Sequence, residues 1–118
     1  MKSLFVLPLF LLVLNTAEAQ IVDKRICGEP PRDQFGMIIR SDKVRNQFQK
    51  LHPCPSTGEK FGACPGWSKD HVIPLDCGGC DTIENMQWLK NTIKSCAGTE
   101  CKDRWERKIY CEPMTIIK

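Results

Sequence analysis

The chain reads as a small α+β domain held together by disulfides, and three observations predict that class. Two short β-like runs, at 67–73 and 86–89, lie close enough in sequence to pair with each other. Segments with helical patterning flank them, near 42–51 and 99–109. Eight cysteines, all beyond residue 26 of a 118-residue chain, form a dense, even set. A domain of this size buries limited apolar surface and gains from cross-links.

Lys2, the apolar run at 4–14 and the small-residue site Ala17-Glu18-Ala19 together predict a secretory signal peptide over residues 1–19. The run is too short to span a bilayer, which takes about 20 residues. Removing 19 of 118 residues leaves 99, one small domain expected to be secreted or periplasmic, with no membrane attachment after cleavage. The net charge of +3 at pH 7 permits a polyanionic partner but falls below that of a domain built to coat nucleic acid.

Residues 20–40 read as an N-terminal arm, polar, broken by Pro30-Pro31 and pinned by Cys27. Lys24-Arg25 belongs to a charged tail in preference to a dibasic processing point. Residues 41–118 form a single domain. Ser41 is the N-cap of a helix in which Val44, Phe48 and Leu51 recur on one face, and Pro53 ends it near His52. Arg40, Lys43, Arg45 and Lys50 decorate its polar sides and are read as solvated surface.

Pro53-Cys54-Pro55-Ser56-Thr57-Gly58 and Cys64-Pro65-Gly66 are turn chemistry, and a disulfide between Cys54 and Cys64 would close the loop between them. Val72 and Ile73 favour strand until Pro74 removes a ladder donor. After a loop at 76–81, Met86, Trp88 and Leu89 make a second strand that pairs back on the first. Residues 90–98 are ambiguous, with Cys96 and Cys101 as candidates to close a small loop. Thr99 is expected to cap a final helix with Cys101, Trp105 and Ile109 along one face, ended by Cys111 and Pro113 and followed by an edge strand at 114–117. Trp67, Trp88 and Trp105 are read as core in preference to base-stacking platforms.

Export favours disulfides over the zinc alternative of Cys77 and Cys80 with Cys96 and Cys101. It also leaves a Cys77/Cys80 redox pair as the lesser reading, because that pair sits in a Gly-rich loop and opens no helix of a βαβ unit. Which cysteine joins which stays open.

The chemistry-bearing residues cluster at the end of the first run. Asp70 and His71 are adjacent, Gly78-Gly79 follows, and Asn85 precedes the second run. A histidine that takes a proton from water needs a fixed ring and a free nitrogen, and a neighbouring carboxylate can hold a metal for phosphate chemistry. Neighbours on an ideal strand point to opposite faces, so both can serve one phosphate only where the strand bends or ends. The plainer reading of an Asp-His pair is a structural hydrogen bond.

The ordered set Asp70-His71-Val72-Ile73-Pro74-Leu75, Gly78-Gly79 and Asn85-Met86-Gln87-Trp88-Leu89 resembles the HNH endonucleases of the ββα-metal class. With His52-Pro53-Cys54-Pro55-Ser56-Thr57-Gly58, Cys64-Pro65-Gly66 and Lys102-Asp103-Arg104-Trp105-Glu106, it looks like the small exported bacterial branch of that family. The resemblance runs from His52 to Cys111.

It implies a ββα-metal core preceded by a helix, and a monomeric endonuclease cutting DNA, with RNA as a further substrate, at weak sequence preference. His71 would be the general base, and Asn85 would tie the loop and help fix the imidazole. Asp70 would hold Mg²⁺ or a similar divalent ion such as Mn²⁺. The family's last metal ligand falls at Lys94, or at Thr99 when counted back from Lys102. Asp103 is the favoured replacement, one helical turn beyond Thr99, with Glu106 a further turn along and Asn91 as the other alternative. Lys69, Lys90, Lys102, Arg104 and Arg107 are candidates for phosphate contact, the last three equally well explained as a solvated helix face. The competing expectation from another class is a non-catalytic, cysteine-rich secreted binding module.

Overall fold

One antiparallel strand pair carries the architecture: β1 (Trp67–His71) and β2 (Met86–Lys90), with Trp67 opposite Lys90 and His71 opposite Met86. The computed structural model describes residues 3–6, 8–9 and 23–112. The expected signal peptide falls largely outside those residues and the expected edge strand at 114–117 wholly so. Leu4, Phe5, Val6 and Leu9 are 85–91 % exposed, so these four side chains add nothing to the core.

Between the strands the chain makes two short 3-10 turns, Leu75–Cys77 and Ile83–Asn85, joined by the glycine pair. Gly78 takes a left-handed φ of 95°, which lets its N–H close the first turn onto the Leu75 carbonyl. Gly79 answers a different need. A Cβ there would collide with the Ile73 carbonyl oxygen and lie 2.8 Å from the Asn85 amide nitrogen.

Helix α1 (Asp42–Leu51) starts where expected, with the Ser41 hydroxyl accepting from the Val44 N–H at 3.2 Å, and stops at His52 before Pro53. Its buried face is not the expected one. Phe48 is buried against Trp88, but Leu51 is 66 % exposed and Gln49 is fully buried in its place. The cause is the 54–64 loop, which lies over the helix and accepts from Gln49 Nε2 at the Glu59 carbonyl, 3.1 Å away.

Beyond β2 the chain turns at once into a one-turn helix, α2 (Asn91–Lys94), and then into α3 (Lys102–Glu106), which widens into a π-helical turn over Arg107–Cys111. The final helix therefore begins after Cys101 and not at Thr99, because the Cys96–Cys101 disulfide holds residues 96–101 in a loop. Of the expected apolar face, Cys101 is buried, Trp105 half-buried and Ile109 54 % exposed, while Lys102 is buried. All three tryptophans are half-buried.

The remaining disulfides join Cys27 to Cys80, Cys54 to Cys64 and Cys77 to Cys111, and no described cysteine is free. Cys77 and Cys80 thus take different partners, which corrects both the redox-pair and the zinc alternatives: neither thiol is available to cycle or to ligate. Cys27–Cys80 spans 53 residues and pins the arm, as Ile26 also does by bridging to Gly79. Its loop-closure contribution is about 4 kcal/mol on the chain-entropy estimate, against about 2 kcal/mol for the shortest loop. Four disulfides are consistent with an extracellular protein, and no helix among the described residues is long and apolar enough to cross a membrane.

Gly79→Ala is expected to lower unfolding stability by about 2 kcal/mol or more, because rigid backbone blocks the added methyl. Gly78→Ala should cost only about 1 kcal/mol of backbone strain. Urea denaturation of the oxidised proteins checks both values and their order.

Candidate active site

β1 ends at His71, and the chain bends over Val72 and Ile73, where the Asn85 side chain takes the Ile73 N–H at 2.9 Å in place of a strand partner. Asp70 and His71 consequently reach one cavity of about 690 Å³, the condition that an ideal strand would not meet.

The His71 ring is held by Asp81, whose Oδ1 lies 2.9 Å from Nε2. A carboxylate only accepts, so the proton belongs on Nε2 and the Nδ1 lone pair is left for chemistry. The pair is mostly shielded, with side-chain exposures of 12 % and 21 %. The second oxygen of Asp81 accepts the Ser41 N–H at 2.6 Å, tying the start of α1 to the same carboxylate. Sequence reading missed Asp81. The available signal was an acid at the far end of the glycine loop, ten positions from His71, where the hairpin folds back toward β1.

Asn85 does half of what the resemblance assigns. Its amide nitrogen donates to the carbonyls of Ile73 (2.9 Å) and Cys80 (2.8 Å), and its oxygen accepts the Ile73 N–H (2.9 Å), with the side chain fully buried. It therefore ties the loop. Among the described residues it makes no hydrogen bond to the imidazole, which Asp81 orients instead.

Asp70 is 8 % exposed and already engaged. Its Oδ2 accepts from Lys102 Nζ at 2.7 Å and from Gln87 Nε2 at 3.1 Å, and its Oδ1 lies 3.4 Å from Lys94 Nζ. Lys102 also donates to the His71 carbonyl at 2.6 Å and pairs with Glu106 at 3.0 Å. Lys102 was expected on a solvated face or at a phosphate, yet it is the buried member of its helix. Its K-x-x-x-E spacing with Glu106 was the local signal.

The expected metal set is not assembled. Asp103 is exposed and accepts from Ser95 Oγ at 3.2 Å, and it does not line the cavity that Glu106 lines. Asn91 accepts a hydrogen bond from Ser68, and Lys94 lines the cavity as a cation. The oxygens that suit a hard divalent ion, from Asp70, Glu106 and the His71 carbonyl, surround the Lys102 ammonium. As arranged, these residues do not fit the ion.

The rest of the cavity wall is cationic on balance, five basic side chains against the Asp76 carboxylate. Arg32 and Arg40 come from the arm, Arg45 from α1, Lys69 from β1 and Lys94 from α2. Lys69 is held below the usual lysine range, first by burial and then by the nearby Arg45 charge. A shallower hollow of about 330 Å³ shares Arg45, Lys69 and Lys94 and adds Trp67 and Trp88. The arm residues were read as tail and helix surface, since nothing local says that a disulfide at Cys27 brings them here.

Comparison with family models, curated proteins and solved structures finds no match to the chain.

Asn85→Ala should leave one buried N–H and two carbonyls without partners. The expected loss is about 3 kcal/mol or more in urea denaturation. A loss under about 1 kcal/mol would contradict its assigned place.

Proposed function

We propose that this domain is a secreted endonuclease of HNH type that hydrolyses phosphodiester bonds in DNA, and in RNA as a further substrate, with weak sequence preference. The observation that carries the reading is a single cavity that combines His71, its Nδ1 free of any hydrogen bond among the described residues, with five cationic side chains, Arg32, Arg40, Arg45, Lys69 and Lys94. A polyanion is the ligand such a wall suits. The adjoining hollow extends the same cations toward two tryptophans, a path longer than one nucleotide.

In this reading His71 Nδ1 accepts a proton from water as its oxygen attacks phosphorus. Asp81 stabilises the resulting imidazolium without taking its proton. Lys94 and Arg45 neutralise charge on the non-bridging oxygens, and the departing ester oxygen takes its proton from solvent on the open side of the cavity. The cations meet phosphates and not base edges, so sequence preference is weak.

Oxidised protein incubated with plasmid should nick it, and His71→Ala should slow nicking by about 10²–10⁴-fold with unchanged circular dichroism. An alanine variant that cuts as fast as wild type would overturn the assignment, and an inert wild type would favour the binding module.

Binding to a DNA duplex should weaken as salt rises, and Arg45→Ala should reduce the slope of log affinity against log salt by about one phosphate contact. An unchanged slope in a fluorescence-anisotropy titration would remove Arg45 from the interface.

A further inference from the structure

The cation at Asp70 is supplied by the chain itself. Lys102 is a lysine only 3 % exposed, and its Nζ meets three oxygens of different origin: Asp70 Oδ2 at 2.7 Å, the His71 carbonyl at 2.6 Å and Glu106 Oε2 at 3.0 Å. These are the oxygen types a hard divalent ion selects, two carboxylates and a backbone carbonyl. An ammonium is a point cation with three donors, so three acceptors satisfy it fully.

Charge balance points the same way. Asp70 and Glu106 bring two negative charges, and Lys102 and Lys94 bring two positive ones within 3.4 Å of a carboxylate oxygen. A divalent ion entering this cluster would find no uncompensated anion, and would face one ammonium at its own position and a second beside it. Lys102 is also not free to leave at low cost. It occupies the first turn of α3, whose start is set by the Cys96–Cys101 loop and whose Glu106 grips the same ammonium.

We infer that Lys102 stands permanently where the HNH resemblance would place a divalent metal, so that the site binds no Mg²⁺ or Mn²⁺ and works without one. The part concerning catalysis rests on the nuclease reading above. The part concerning cation binding does not. Metal-free operation assigns the neutralising role at phosphorus to the exposed cations of the cavity wall, while Lys102, shielded from solvent, holds Asp70 and the end of β1 in place as a positioning residue.

The test is a Mn²⁺ titration followed by the paramagnetic resonance of the free ion, on oxidised wild type, Asp70→Asn, Lys102→Met and the double variant, beside plasmid cleavage with and without chelator. Wild type should show no stoichiometric site. Lys102→Met should gain one through the freed oxygens, at least about tenfold tighter than any residual binding, and Asp70→Asn should remove that gain. Wild-type cleavage should persist in chelator. A wild-type Mn²⁺ site lost on Asp70→Asn, or cleavage that stops with chelator and returns with Mg²⁺, overturns the inference. The wild-type and Asp70→Asn titrations decide the point even if Lys102→Met fails to fold. If the titrations come out as expected and no condition gives cleavage, the nuclease reading fails while the lysine assignment stands.

Discussion

Asp81 is the carboxylate on which the site depends, because it makes two bonds that no other described group duplicates. One oxygen fixes the His71 imidazole and the other receives the first backbone N–H of the α1 cap. Charge-assisted hydrogen bonds of this kind are roughly twice as strong as neutral ones. Asp81 also follows Cys80, which is disulfide-bonded to Cys27 of the arm. The imidazole, the helix that presents Arg45 and the arm that presents Arg32 and Arg40 are therefore referred to one point of the hairpin loop. Orientation of the imidazole and placement of the basic side chains are two results of the same anchoring.

Around this point the domain uses polar and covalent links where a larger protein would use apolar core. Its buried apolar set is short, Phe48, Ile73, Leu75 and Met86 with four half-cystines. The buried Asp70–Lys102 pair belongs to the same economy of size. Burying either charge alone would cost several kcal/mol, and the pair is tolerable because the carboxylate and the ammonium each find further hydrogen-bond partners. It joins β1 to α3 across 32 residues.

What could be read from the chain alone was what neighbouring residues decide. Ser41 and Pro53 bracket α1 by local chemistry, and the strand pair was legible too, although Val72 and Ile73, the β-branched residues that predicted the first strand, lie just past its end at His71. Cys54–Cys64 and Cys96–Cys101 were legible as short loops. Long-range facts were not. Leu51 and Gln49 exchange places because the 54–64 loop chooses the buried face of α1. Lys102 looks like any helix-surface lysine until oxygens from residues 31 and 32 positions away surround it. Asp103 and Glu106 lie one turn apart on α3, and only their tertiary partners separate them: Glu106 pairs with the buried Lys102, and Asp103 accepts from Ser95. The placement of His71 and Asp70 on one cavity was conditional on the strand ending there, and the Asn85 side chain, which takes the Ile73 N–H in place of a strand partner, marks that end.

With Asp81 accepting from Nε2, the His71 proton belongs on that nitrogen and Nδ1 is left bare. Nitrogen-15 spectroscopy of the oxidised protein labelled at histidine measures this directly, at a pH where the ring is neutral. The expected result is a single dominant tautomer for His71, with the proton on Nε2 and a bare Nδ1, and a loss of that bias in Asp81→Asn. A neutral His71 carrying its proton on Nδ1 in the wild-type protein would contradict it.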